Sequence, residues 1–195
     1  MIINQQNKIN VVFRFDVDSG AKYGTGHFQR ILKIFKELKK KKIFKFFALY
    51  NSNSLSIKVV PKFFKNQIIF NNTLKQKLTF LNKNDILISD TPRGLEKKLF
   101  QFCKNKGVKL VSFDETNKRS VKYNLLINSV IFLKKKLKKS KNIFQGFKYF
   151  IVDKKFQKQN KKTFINNKLI VCVCPGGTDK KKFLIKVYLY KKIIW

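Results

Sequence analysis

Residues 11–17 read Val-Val-Phe-Arg-Phe-Asp-Val, residues 24–30 read Gly-Thr-Gly-His-Phe-Gln-Arg, and these two runs decide the fold that we predict. The first run is rich in β-branched and aromatic residues, which favours a strand, and the glycines of the second allow a sharp turn. From about residue 26 to residue 41, apolar side chains recur at helical spacing, which predicts a helix with one buried face. The chain therefore begins with a strand, a glycine turn and a helix.

The alternation of strands and helices continues downstream. The pattern predicts further strands at 43–50, 85–89, 108–113 and 123–129, and a helix at about 93–106 that ends before Gly107. Residues 51–84 are ambiguous, and short strands near 57–60 and 67–70 fit them. Repeated strand–helix–strand units imply a parallel sheet with right-handed crossovers, so we expect an α/β fold.

The same pattern predicts the domain organisation. We expect an α/β domain at 1–153, a polar linker at 154–168, and at 169–195 the first strand and helix of a second, incomplete domain. The second unit has its own glycine turn, Pro-Gly-Gly-Thr-Asp at 175–179. Backbone N–H groups at such a turn suit an anion such as a diphosphate.

The net charge of the chain is high and positive. There are 45 Lys and Arg against 10 Asp and Glu, a formal charge of +35, and only four of the basic residues are Arg. Proteins that read nucleic acids rely on Arg for bidentate contacts, whereas Lys, Asn, Ile and Phe are what AT-rich codons encode. We interpret most of the charge as compositional drift and expect no specific nucleic-acid partner, with general polyanion binding as the alternative.

Several classes of protein and site do not fit the sequence. No apolar stretch is long enough for a membrane-spanning helix, and residues 1–10 lack a signal-peptide pattern, so we expect a cytoplasmic protein. Cys103, Cys172 and Cys174 do not have the spacing of a disulfide framework or a zinc site. The first glycine turn matches neither a dinucleotide fingerprint nor a P-loop.

The scarce acidic residues and the lone histidine indicate a site. Ligands of open α/β sheets bind at the carboxyl ends of the strands. Six of the ten acidic residues lie at or just beyond predicted strand ends: Asp16, Asp18, Asp90, Asp114, Glu115 and Asp179. Capping of the following helices is the alternative for such residues. His27, the only histidine, follows the first glycine turn, where it could accept a proton from an attacking water or merely cap or pack.

Five segments, in order along the chain, resemble the PseG-type UDP-sugar hydrolases of pseudaminic acid biosynthesis and the related SpsG-type proteins of spore-coat polysaccharide biosynthesis. They are Arg14-Phe15-Asp16 with Gly24-Thr25-Gly26-His27 and Arg30, then 85–90, 107–114, 146–156 and 176–179. The resemblance implies a glycosyltransferase-B architecture, in which two Rossmann-like domains face each other across a cleft. It also implies hydrolysis of a UDP-linked diacetamido-trideoxy-altropyranose by attack of water at the anomeric carbon.

The same resemblance implies roles for individual residues. His27 would activate the water, and Asp16 would orient His27 or a sugar hydroxyl as a second catalytic residue. The expected substrate-binding residues are Arg14, Gly24, Thr25, Gly26, Asp90, Gly176, Gly177 and Thr178. After Asp90 the family commonly carries His-Tyr, and this chain has Thr91-Pro92.

The family resemblance also implies the expected ligands and partners. Neither a cofactor nor a metal is implied; the UDP-sugar is the expected ligand, and a second chain is a possible completion of the cleft. Two other functions stay open, a sugar transferase of the glycosyltransferase-B type and a non-catalytic remnant or binding domain.

Overall fold

The computed structural model describes residues 8–17, 25–51, 53–70, 74–91, 93–115, 122–129 and 141–151. These residues form one seven-stranded sheet whose strands are all parallel. The strands are β1 (Ile9–Phe15), β2 (Phe44–Tyr50), β3 (Asn66–Ile69), β4 (Ile86–Asp90), β5 (Lys109–Phe113), β6 (Leu125–Asn128) and β7 (Ile143–Gln145). The helices are α1 (Gly26–Lys39), α2 (Ser54–Val59), α3 (Leu74–Lys77) and α4 (Lys97–Asn105), with short 3-10 turns at Val60–Lys62 and Phe147–Tyr149.

The order of the strands makes the sheet Rossmann-like. Across the sheet the order is β3-β2-β1-β4-β5-β6-β7. The chain first builds outward from β1 in one direction and then continues from β4 in the other. The strand order therefore reverses between β1 and β4, and the predicted parallel α/β fold is confirmed.

Apolar side chains cover both faces of the sheet. On one face, Phe13 and Phe15 of β1 pack with the buried side of α1, including Phe28 and Phe35. On the other face, Val12 packs in a second core with residues of α4 and the adjoining strands. Parallel sheets are buried on both sides, which explains why these strands are nearly continuous apolar runs. In the described part of the chain, no helix combines the length and apolar content that crossing a membrane requires.

Two segments differ from the predicted secondary structure. Residues 57–60 are helical rather than extended, because Asn53 and Ser56 form a reciprocal capping box at the start of α2. The helix predicted at 93–106 begins only at Lys97. Gly94 has a φ of +72° and closes a turn with Thr91, which keeps residues 93–96 out of the helix.

Other predicted features are found, and some fall outside the described residues. Gly107 has a φ of +69° just beyond α4, as expected for a helix terminator. The strand β7 was not predicted from the sequence. The linker at 154–168 and the unit at 169–195 lie outside the described residues, together with Asp18, Gly24, Pro92, Cys172, Cys174, Gly176, Gly177, Thr178 and Asp179.

Cys103 is buried in the second core, and burial raises the pKa of its thiol to about 12. We expect iodoacetamide at pH 8 to alkylate this thiol in the unfolded chain and not in the native one, since only a thiolate reacts. An unfolded cysteine has a pKa of about 8.5, so the free energy of unfolding should fall as pH rises from there towards 12.

The cysteine prediction is tested in a Cys172→Ser/Cys174→Ser background, where Cys103 is the only thiol. Mass spectrometry measures the labelling, and urea unfolding at several pH values measures stability. The same background with Cys103→Ala should lack that part of the pH dependence. Equal labelling rates for the native and the unfolded chain would contradict a protonated, buried thiol.

Candidate functional site

The candidate site lies where the strand order reverses. The carboxyl ends of β1 and β4 are neighbours, with Phe15 opposite Asp90 in the ladder, and the chain leaves them towards opposite sides of the sheet. In open α/β sheets this reversal opens a crevice in which ligands bind. The helix α1 begins at the same end, because His27 in its first turn contacts Asp90 at the end of β4.

His27 contacts a buried carboxylate at this crevice. It lies in the first turn of α1 with its side chain 22% exposed, and its Nδ1 lies 2.7 Å from Oδ1 of Asp90. A carboxylate can only accept a hydrogen bond, so Nδ1 carries the hydrogen and donates it to Asp90. In the neutral ring the lone pair is then on Nε2, which is the atom able to accept a proton.

Arg30 holds the far side of the same carboxylate. Its Nε donates to Oδ2 of Asp90 at 2.6 Å, and its Nη2 donates to Oδ1 at 2.8 Å. Its Nη1 pairs with Asp114, and its guanidinium lies 5.4 Å above the ring of Phe113. Burial acts to lower the pKa of Arg30, but the hydrogen bonds and charges of Asp90 and Asp114 outweigh it and raise that pKa. Arg30 is therefore a permanent cation between two carboxylates.

Asp114 joins the ends of β5 and β6 to this network. Its Oδ1 accepts from the backbone N–H of Ser129 at 2.8 Å and from the Ser129 hydroxyl at 2.9 Å. Among the described non-glycine residues, Asp114 is the one with a positive φ, at 50°. Aspartate tolerates this left-handed conformation better than most residues, but the conformation persists only where its surroundings hold it.

A second charged cluster lies on the opposite face of the sheet. Arg14 is 1% exposed; its Nη1 donates to Asp16 at 2.7 Å, and its Nε and Nη2 pair with Glu96, which precedes α4. Its guanidinium lies 4.7 Å above the ring of Phe70, and Asn51 also donates to Asp16, at 2.7 Å. Burial acts to lower the pKa of Arg14, but the charges and hydrogen bonds of Glu96 and Asp16 raise it.

Three of the expected site residues have protein partners in the structure. The carboxylate that contacts His27 is Asp90, whereas Asp16 is held on the other face by Arg14 and Asn51, so the expected contact of Asp16 with His27 is not found and its contact with a sugar hydroxyl stays a prediction. Arg14 is enclosed, and its donors face protein acceptors. Asp90 is fully buried, and substrate binding by Arg14 and Asp90 stays a prediction.

Other expected site residues keep the status of predictions. Thr25 and Gly26 lie at the start of α1, where Thr25 is the N-cap residue without a side-chain cap. A Cβ added at Gly26 would meet no heavy atom within 4 Å, so this turn is open. In the described part of the chain, no group of three or more His, Cys, Asp and Glu side chains is arranged to hold a metal ion.

The scarcity of acidic residues points to Asp90 and Asp114 as acids at strand ends. The family resemblance includes Arg30 in its motif and implies no role for it, and neither pattern predicts Glu96 or Ser129. Only four arginines occur in this lysine-rich chain, and two of them form ion pairs with two carboxylates each. Arginine scarcity was thus a signal as informative as that of the acids.

Gly94 makes room for the buried carboxylate of Glu115. A Cβ at Gly94 would lie 2.5 Å from the Glu115 carboxyl carbon, and the φ of +72° also disfavours any side chain. Glu115 accepts hydrogen bonds from the backbone N–H of Leu95 at 3.2 Å, from the Ser112 hydroxyl at 3.0 Å and from the Tyr123 hydroxyl. These contacts tie the turn before α4 to β5.

We expect Gly94→Ala to lower the free energy of unfolding by about 1–3 kcal/mol, because it adds backbone strain and displaces Glu115. Gly26→Ala is the matched control, expected to change that free energy by no more than about 0.5 kcal/mol, since its Cβ meets open space. Urea unfolding followed by circular dichroism measures both. Equal stability of the two variants would show that Glu115 is not held as described.

Comparisons with family models, with curated proteins and with solved structures found no match to the chain. The function of the site is therefore inferred from its motifs and its geometry.

Proposed function

We propose that the chain is a UDP-sugar hydrolase of the PseG and SpsG type, in which His27 activates the attacking water. The observation that carries the proposal is the contact between Nδ1 of His27 and the buried Asp90 carboxylate at the strand-order reversal. The ordered motifs along the chain support the same reading. The substrate class, a UDP-linked diacetamido-trideoxy hexose of nonulosonic acid or surface polysaccharide biosynthesis, comes from that resemblance.

The chemistry follows from the orientation of the imidazole. Nε2 of neutral His27 takes one proton from a water molecule as the water oxygen forms a bond to the anomeric carbon. The bond between that carbon and the UDP oxygen breaks, and its electron pair leaves with UDP. Asp90 accepts the Nδ1–H throughout and stabilises the imidazolium that forms, as the orienting carboxylate does in catalytic triads. The proton then passes from His27 to solvent.

The start of α1 suits the leaving diphosphate. The first turn contains no acidic residue, and a helix N-terminus directs backbone N–H groups and a partial positive charge outward. Gly26 leaves space for a close approach at this point. The second glycine turn, at Gly176–Thr178, is expected to face the diphosphate as well, and a second chain is a candidate for the uridine side of the cleft. The charge of +35 also attracts an anionic substrate at low salt.

Release of UDP from the UDP-sugar by the purified chain tests the proposal, with mass spectrometry of products formed in H₂¹⁸O. Hydrolysis at the anomeric carbon places ¹⁸O in the sugar and leaves UDP unlabelled. UDP release that requires an added acceptor sugar would indicate a transferase instead. Binding of UDP-sugar without release, at a salt concentration that removes polyanion binding, would indicate a non-catalytic domain.

A further inference from the structure

We propose that Arg30 is a positioning residue that controls the protonation of His27 through Asp90, and that Asp114 and Ser129 hold Arg30 in place. This inference deepens the proposed function and rests on it for the role of His27 towards substrate. The network itself is a property of the folded chain and is measurable without substrate.

Asp90 shares its carboxylate between His27 and Arg30. Oδ1 of Asp90 accepts from both His27 Nδ1 and Arg30 Nη2, and Oδ2 accepts from Arg30 Nε. The two contacts of Arg30 form a bidentate fork, which fixes the plane of the carboxylate. The direction in which Oδ1 meets the imidazole is therefore set by Arg30, three residues further along the same helix.

The charges of Asp90, Arg30 and Asp114 largely balance one another. A buried carboxylate alone would stabilise the imidazolium and so reduce the fraction of His27 able to act as a base. Arg30 compensates the charge of Asp90, and Asp114 compensates part of the charge of Arg30. When His27 is neutral, the ionised side chains of Asp90, Arg30 and Asp114 have a net charge of −1. Proton uptake by His27 brings the net charge of the four side chains to zero. The imidazolium formed in the reaction is therefore balanced by these three side chains.

Arg30 is held in place by Asp114. Asp114 adopts a positive φ, and both of its contacts with Ser129 lie on the oxygen that does not pair with Arg30. The backbone N–H of Asp114 also donates to Ile127 of β6 at 2.9 Å. The ends of β5 and β6 thus hold Asp114 in the conformation that reaches Arg30. A left-handed residue supported in this way is typical of a functional constraint.

The charged groups around His27 come from three elements. They are Asp90 at the end of β4, Arg30 on α1 itself, and Asp114 beyond β5, which acts through Arg30. On the opposite face of the sheet, Arg14 is paired with Asp16 and Glu96. Among the ion pairs of the described residues, the first three groups are the ones linked to the imidazole.

The single histidine makes the test direct, because every imidazole signal of the full chain belongs to His27. ¹⁵N NMR of histidine-labelled protein reports both the tautomer and the titration midpoint of the ring. In the unsubstituted chain we expect the neutral ring to carry its hydrogen on Nδ1. Arg30→Gln leaves two carboxylates without their cation, so the midpoint should rise. Asp114→Asn removes a negative charge, so the midpoint should fall.

The opposite signs of these two shifts separate a positioning role from a structural one. Loss of structure alone would move both variants towards the midpoint of an exposed histidine and would return both to the tautomer of free imidazole. Arg30→Lys keeps the charge and loses the fork, so it should keep the midpoint and weaken the tautomer preference. Arg30→Lys also provides the test if Arg30→Gln does not fold. Lys36→Gln removes an exposed positive charge from the same helix and should change neither readout.

Kinetics complete the test. If UDP is released, the acid limb of the kcat/KM profile should move to higher pH in Arg30→Gln, in step with the NMR midpoint. An unchanged midpoint and tautomer in Arg30→Gln, or shifts of the same sign in Arg30→Gln and Asp114→Asn, would overturn the inference. If the NMR shifts occur as expected while the chain releases no UDP, the hydrolase proposal fails and the control of His27 by Arg30 stands.

Discussion

Replacement of His27 by glutamine is expected to lower kcat for UDP release by a factor of about 10²–10⁴ at neutral pH. Glutamine is polar and similar in length, but it cannot take a proton from water. KM should change little, because the proposed role of His27 is in the chemical step and not in holding UDP. Stability should also change little, since Asp90 keeps both hydrogen bonds from Arg30.

A second substitution shows whether the lost group is a base. In His27→Gly, added imidazole is expected to restore part of kcat, with a pH dependence that follows the neutral form of the added base. The same concentration of imidazole should not affect the unsubstituted chain. Retention of more than about a tenth of kcat by His27→Gln would place the base elsewhere, because a true general base contributes more than that.

Replacement of Arg14 by methionine is expected to lower the free energy of unfolding by about 3–5 kcal/mol. Methionine fills a similar volume, but Asp16 loses its buried cation and Glu96 loses its partner. A buried carboxylate without a counter-charge is among the most destabilising features a substitution can create. A typical domain has only about 5–15 kcal/mol of stability, so the loss is a large share of the total.

Three comparisons identify the cause of that loss. Arg93→Met removes an arginine from an exposed position and should cost no more than about 0.5 kcal/mol. Adding Asp16→Asn and Glu96→Gln to Arg14→Met should recover part of the loss, because no charge is then left unpaired. Arg14→Lys should lie between, since it keeps the charge and loses the fork and the contact with Phe70. Urea unfolding at one salt concentration measures all variants, and a loss below about 1 kcal/mol in Arg14→Met would refute the buried-pair description.

The elements predicted best from the sequence are those with a strong local pattern. The buried face of α1 is predicted from the spacing of five apolar residues, Phe28, Ile31, Leu32, Phe35 and Leu38. The first four are buried, and Leu38 is partly buried against the same core. Helical spacing is set by residues three and four apart, so the pattern is visible without tertiary information. The strand β7 has only three residues and exists through pairing with β6, which no local pattern reveals.

The amino-acid pattern alone was sufficient to predict a parallel α/β sheet, a histidine at its first turn and acidic residues at the ends of its strands. The choice of carboxylate for His27 depended on the tertiary structure. Side chains alternate between the two faces of a strand, and Asp90 falls on the side of Ile88, which packs in the core with α1. Asp16 follows Phe15 by one residue and lies on the opposite face of the sheet, where it pairs with Arg14. His27 and Asp90 are 63 residues apart in the chain, so only the pairing of β1 with β4 brings them together.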